Sequence, residues 1–197
     1  MIKALLLVFD PVRTWDDIAQ RERSLWFVLL VHLVPILALT GAAEYFALIN
    51  WGKWVADVAR YDLKSPDLAL GYVGLQHGGS LLLVFGLAWI IRVLNRGAQG
   101  IATYRDCFVL LSYALSPLFA VRLFDVIPGV TGVYSLASLI IGGCLVLATY
   151  YSGVPRMLRL TPGSAFGQYL SGVVITLLLF TVLRVCSLVA LESAIIQ

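Results

Sequence analysis

Charge is what this chain has least of. Asp, Glu, Lys and Arg make up 13% of its 197 residues, about half the roughly 25% usual in a soluble domain. Cysteine (3 residues) and histidine (2 residues) are scarce as well. Cys107, Cys144 and Cys186 lie far apart, with no CxxC pair, so neither a disulfide framework nor a thiolate metal site is expected. His32 and His77 lack the i, i+4 spacing of paired helical ligands. No P-loop, HExxH or GxSxG motif occurs, and therefore no cofactor, metal or catalytic residue is expected. The net charge of +3 comes without a basic run, which argues against nucleic acid as a partner.

Apolar residues, by contrast, reach 60% and mean hydropathy is +0.92, the composition of an integral membrane protein. The few charges leave five windows: 24–43, 68–91, 107–121, 126–155 and 160–183. A spanning helix needs about 20 apolar residues. Four windows suffice alone, and the third does so once Arg122 near its end snorkels or pairs. The expected fold is all-α and polytopic, with spans at about 25–45, 71–93, 105–125, 131–151 and 168–191. Residues 1–24 form a cytoplasmic or interfacial segment and 25–197 one five-helix membrane domain. Short loops on the N-terminal side carry nine Lys or Arg, against four on the other. The positive-inside rule then places the N-terminus in the cytoplasm and the C-terminus outside, in a cell (inner) membrane.

Local signals fill in the outline. MIKALLLVFDP has too short an apolar stretch for a signal peptide and is expected to be retained. Asp10-Pro11 is a helix start, an N-cap type before a first-turn proline. The helix it opens, about 11–22, carries Val12, Trp15, Ile18 and Ala19 on one stripe. That stripe suits an amphipathic helix at the inner surface with Trp15 among headgroups, or else a helix packed on the bundle. Residues 49–61 repeat the pattern with Trp51, Trp54, Val55 and Val58, as an outer interfacial helix or a simple aromatic belt. Ser65-Pro66 reads as a start for span two, and Thr103-x-x-Asp106 as a capping box opening span three. Ile127-Pro128-Gly129 reads as a tight turn, and Gly153-Val154-Pro155 and Thr161-Pro162-Gly163 as chain breaks. Small residues at helix-packing spacing are Gly74 and Gly78, Ser138 and Gly142, and Gly163 and Gly167. They support a compact bundle and allow a homo-oligomer or membrane-protein partner beside the lipid bilayer itself.

Arg122, Asp125, Arg184 and Glu44 form the candidate intramembrane polar site. Arg122 and Asp125 are three apart on one helix face. Arg184 sits deep in span five with no acid within a turn, so an acid from another span must pair with it. Asp106 starts at the opposite face; Asp125 is the favoured partner and Glu44 the second. A polar cavity on a substrate path and a structural ion pair that fixes helix register are both consistent with such a cluster.

The residues also resemble a known family. Pro11 and Trp15 precede span one. Tyr113, Ala114 and Pro117 form a Tyr-Ala…Pro pattern in span three. Tyr151 and Gly153 close span four, and Ser164 and Ala165 open span five. Over nearly the whole chain this order resembles the Yip family, the Ypt/Rab-GTPase-interacting membrane proteins, in a short form like its prokaryotic branch. The resemblance implies five spans, a cytosolic N-terminus and no catalytic residue. Eukaryotic relatives bind Rab GTPases and associate with one another. The implied function is a non-enzymatic membrane scaffold organising partner proteins or lipids. The alternative is a small transporter or channel using the intramembrane Arg and Asp residues. A lipid-modifying enzyme would need convergent acid, base or nucleophile groups, and the chain offers few.

Overall fold

The computed structural model describes the backbone of residues 2–50, 53–55, 59–61, 65–98, 100–127 and 132–196. Side chains are described outside 1–5, 51–64, 99, 125, 128–136 and 191–197. Among the described residues five helices are long and apolar enough to cross a membrane: Leu25–Asn50, Pro66–Gly97, Tyr104–Phe124, Ala137–Leu158 and Pro162–Ala190. They are called spans one to five. The N-terminal end of span one marks the near end of the bundle, and the opposite end is the far end.

Two short helices precede the spans, α1 (Ile2–Phe9) and α2 (Pro11–Gln20). The Asp10 side chain accepts the Arg13 backbone N–H at 3.3 Å, and Pro11 occupies the first turn, as the sequence signal requires. Span one is capped by the Ser24 hydroxyl on the Phe27 N–H. It contains one π turn, Leu29–Leu33, immediately before Pro35. In that wider turn the Val34 N–H reaches back to the Leu29 carbonyl, and the helix runs on through Pro35 to Asn50. Span two starts at Pro66, after Ser65. The Thr103–Asp106 capping box opens span three with both reciprocal bonds in place.

Spans one, two and five run past their expected ends, because charged or polar residues near a helix end can sit at the membrane surface without ending the helix. Span four belongs to a helix, Gly132–Leu158, that passes through Gly153 and Pro155 instead of breaking there. The break falls at Arg159, which adopts a left-handed φ of 52°. The expected interfacial helix at 49–61 is replaced by continuation of span one and a small hairpin, β1 (Lys53–Val55) against antiparallel β2 (Ala59–Tyr61). Trp54, Val55 and Tyr61 are strand formers, and their preference wins over the weak helical spacing.

Span three is the axis of the bundle. Of its most apolar window 72% is buried, against 11% for span five. Spans one, two and four pack around it, and span five lies across spans two and four. Span three is also the interrupted one. It is helical over Tyr104–Ala114, steps at Leu115, resumes at Ser116–Ala120 and tightens into a 3-10 turn over Val121–Val126. Pro117 has no N–H for the Tyr113 carbonyl. The Leu118 N–H turns to Leu115 O at 3.0 Å, leaving the Ala114 carbonyl without its helical donor.

One expectation is corrected here. The apolar stripe of α2 does not lie among headgroups. Trp15 is fully buried (0% exposed), and its indole N–H donates to the Thr149 carbonyl of span four at 2.9 Å. Gly153 makes the room: a Cβ there would stand 2.7 Å from the indole ring. Outside, Asp16 pairs with Arg156 at 3.1 Å. A tryptophan stripe is compatible with either surface, and what decides is a glycine-lined slot with a carbonyl at its base. Among the described side chains of α1 and α2, Leu6, Phe9 and Val12 are the large apolar ones left exposed.

Trp15→Ala should destabilise the protein by about 3–5 kcal/mol and release α2. Thermal unfolding in detergent, with limited proteolysis between α2 and span one, checks this. Gly153→Val should give the same proteolytic pattern by filling the slot from the other side.

Candidate functional site

The acid that meets Arg184 is Glu44. Its carboxylate is 1% exposed and lies 4.0 Å from Arg184 Nη1 and 3.7 Å from His77 Nδ1. His77 Nδ1 is also 3.2 Å from the Val73 carbonyl one turn back. Asp125, the favoured partner from sequence, lies at the far tip of span three, and its side chain falls outside the described residues. Glu44 meets Arg184 beside the last turns of span three, where Leu118, Phe119 and Arg122 line one cavity with it. Arg122 stands at that tip and lines a cavity of about 40 Å³ with Glu44, Gln76, His77 and Ser80. The cluster therefore unites Glu44, Arg122 and Arg184 and adds His77, Gln76 and Ser80. His77 was legible as the titratable residue inside the long charge-free window of span two; what the sequence withholds is which neighbouring span faces it.

A second buried polar group surrounds the interruption in span three. The Thr149 hydroxyl has the Ala114 carbonyl at 3.2 Å, beside two carbonyls of its own helix, Leu145 and Val146. Ala114 O is the one of the three left without a helical N–H. Ser116 Oγ donates to Ser112 O at 2.8 Å, so it must accept from His32 Nε2 at 2.7 Å. His32 is thereby fixed as the Nε2–H tautomer. Its ring stacks on Tyr113 at 4.3 Å between centroids, and Tyr113 meets Trp15 edge-on at 6.5 Å. The Tyr-Ala…Pro pattern is thus a backbone break together with the groups that satisfy it.

The order of these elements is that of one family. A profile of the Yip1 domain matches residues 5–184. The chain belongs to the Yip1-domain family. No curated protein and no solved structure gives a significant match. Within this Yip1 domain the motif positions divide by role. Tyr113, Ala114, Pro117 and Gly153 build the Trp15 and His32 contacts. Tyr151 is exposed and packs edge-on against Tyr169 of span five at 5.2 Å. Ser164 Oγ lies 2.7 Å from Thr161 Oγ1, and the Ala165 N–H bonds Thr161 O at 2.8 Å, which caps span five.

The small residues of the Yip1 domain divide as well. Gly142 faces inward: a Cβ there would meet Val121 Cγ2 at 2.9 Å. It serves the contact between spans three and four and is not free for another molecule. Ser138, a turn before it, is half-buried. Gly74, Gly78, Gly163 and Gly167 have no atom within 4 Å of an added Cβ. At the near end, Asn95 Oδ1 accepts the Ala102 N–H at 3.2 Å, and Gln168 Nε2 donates to Ile91 O at 3.2 Å. Arg105 reaches the Glu22 carbonyl at 3.1 Å, anchoring the turn after α2. Here Glu22 adopts a φ of 42°.

Removing Glu44 leaves Arg184 without its carboxylate. Glu44→Ala should cost about 3 kcal/mol, and Glu44→Gln with Arg184→Gln together should cost less than the two single changes summed. A double-mutant cycle read by unfolding in detergent measures that coupling.

Proposed function

We propose that this Yip1-domain protein is a non-enzymatic membrane scaffold that organises partner proteins or lipids. Its N-terminus is cytoplasmic, its C-terminus lies outside, and residues 25–197 act as one membrane domain in the cell membrane. The observation that carries this reading is the separation of the polar groups. The far cluster around Glu44 and the near network around Asn95 lie at opposite ends of the bundle. Between them the described core is closely packed, with Leu33, Val84, Leu87, Phe108 and Leu111 all at most 1% exposed, and its buried polar side chains His32, Ser116 and Thr149 are bonded to one another or to backbone carbonyls. Such a core disfavours a solute path, and a cavity of about 40 Å³ holds one or two waters rather than a substrate. Span five supports a binding role, since Leu177, Leu178, Val182 and Val185 face outward beside the open Gly163 and Gly167. The eukaryotic relatives of the resemblance associate with one another, and self-association is the simplest form of the same behaviour.

Two measurements test it. In liposomes the wild type should show background flux for a panel of ions and small solutes, and Arg184→Leu should match it. In mild detergent Gly167→Leu, on the open face of span five, should reduce assembly seen by native mass spectrometry. Flux above background that Arg184→Leu abolishes would favour the transporter reading instead.

A further inference from the structure

Spans four and five part in mid-bundle over a cavity of about 110 Å³. Its floor is Leu111 and Leu115 of span three, both at most 2% exposed. Its rim carries Leu147 of span four and Leu177 of span five, 37% and 61% exposed, so the cavity opens toward lipid. Gly143 is part of its wall, and no atom stands within 4 Å of a Cβ added there.

One polar group in this cavity is left over by the fold. Tyr150 lines the cavity, is 3% exposed, and its hydroxyl has no hydrogen-bond partner among the described residues. Helical side chains lean toward the N-terminus of their helix. Span four runs from the far end to the near end, so the Tyr150 ring leans along the cavity wall toward Val146 and Gly143. Gly172 of span five leaves room for the hydroxyl, since a Cβ there would overlap it. The ring packs against Tyr169 at 5.9 Å between centroids. An unsatisfied hydroxyl in hydrocarbon is costly. Thr176 is the one other lining residue with a polar side chain among those described. Buried water is held by about three polar partners, more than these two hydroxyls supply.

The missing partner therefore comes from the bilayer and brings an oxygen of its own. The volume equals about four groups of water size at ~30 Å³ each, below the ~150 Å³ that takes a benzene ring. It admits a slender chain and not a ring system. Tyr150 lies eight residues before Leu158, the near end of span four, about 12 Å at 1.5 Å per residue. Headgroup and ester oxygens stay outside a hydrocarbon core roughly 30 Å thick, so an oxygen at this depth has to be carried part-way along a chain. We infer that the cavity is a binding site for a lipid whose acyl chain bears a mid-chain hydroxyl or keto oxygen. The chain enters between Leu147 and Leu177 and lies along Gly143 and Val146, and its oxygen bonds the Tyr150 hydroxyl. The proposal gives the lipid-organising part of the scaffold reading a ligand class and rests on that reading.

The test uses the full chain in nanodiscs of equimolar diricinoleoyl and dioleoyl phosphatidylcholine, released into native mass spectrometry. The two lipids differ by one mid-chain hydroxyl on each acyl chain. The wild type should retain the hydroxylated lipid about fivefold over the plain one, the weight of one neutral hydrogen bond. Tyr150→Phe should bring that ratio to one. Its unfolding temperature in detergent should stay level or rise, because the hydroxyl it loses has no partner in the fold. Gly143→Leu, which fills the cavity from its open side, should cut retention of both lipids, while Gly163→Leu, outside the cavity, should not. Oleyl alcohol, whose oxygen stays at the membrane surface, should not displace the bound lipid. A wild-type ratio of one overturns the site, and so does a preference that survives Tyr150→Phe or a fall in that variant's unfolding temperature. Displacement by oleyl alcohol, equal loss in the two glycine variants, or a lipid-free dimer that Gly143→Leu dissociates overturns it as well. A ratio of one in a chain that still assembles through span five refutes the lipid site alone and leaves the scaffold reading standing.

Discussion

A proline in the middle of the most buried helix sets the terms for the rest of the bundle. The break at Pro117 turns the Leu118 N–H to Leu115 O and so leaves the Ala114 carbonyl without its donor where no water can replace it, and an unsatisfied carbonyl in hydrocarbon costs several kcal/mol. The Thr149 hydroxyl of span four is the group within reach. Thr149's own carbonyl in turn receives the Trp15 indole N–H. A defect in span three thus fixes the register of span four, and span four fixes a helix outside the membrane. His32 and Ser116 repeat the arrangement on the other side, tying the π turn of span one to the same interruption.

This explains why the two ends of the bundle differ. The near end is dense with hydrogen bonds that cross between elements: Asp16 to Arg156, Arg105 to Glu22, Asn95 to Ala102 and Gln168 to Ile91. Span three begins there, and each neighbour has a partner along its length. At the far end fewer such bonds cross, and the polar side chains gather around Glu44, beside the last turns of span three, the shortest of the five described spans.

Much of this was legible in the sequence, and the gaps have physical causes. Charge-free windows located all five spans, because a bilayer imposes length and polarity on every spanning helix. Asp10-Pro11, Ser65-Pro66 and Thr103-x-x-Asp106 marked helix starts, because capping is a local interaction over three residues. Glu44 was named as the second partner for Arg184, after Asp125, and it is the acid seen 4.0 Å from it, the Asp125 side chain lying outside the described residues. Which acid faces a given arginine depends on how the spans pack, which charge spacing does not encode. Trp15 was read as interfacial first and as packed on the bundle second, because hydrophobic periodicity shows that a face is apolar and not what covers it. Gly153 and Thr149, 138 and 134 residues away in sequence, decide that question. Pro155 was misleading because a spanning helix absorbs a proline near its end, whereas Pro117 sits where absorption requires a partner.

The docking of α2 into the bundle is the central claim, and proximity in the membrane tests it most directly. Asp16 and Arg156 are 140 residues apart in sequence and ion-paired at 3.1 Å. With Asp16→Cys and Arg156→Cys introduced into a chain whose native cysteines are replaced by serine, a short bismaleimide added to native membranes should cross-link the pair within one molecule. Trp15→Ala in the same background should abolish the cross-link. Failure of the intact pair to cross-link, with the cysteine at 16 instead quenched by lipid-borne probes at headgroup depth, would place α2 on the membrane surface and contradict the account.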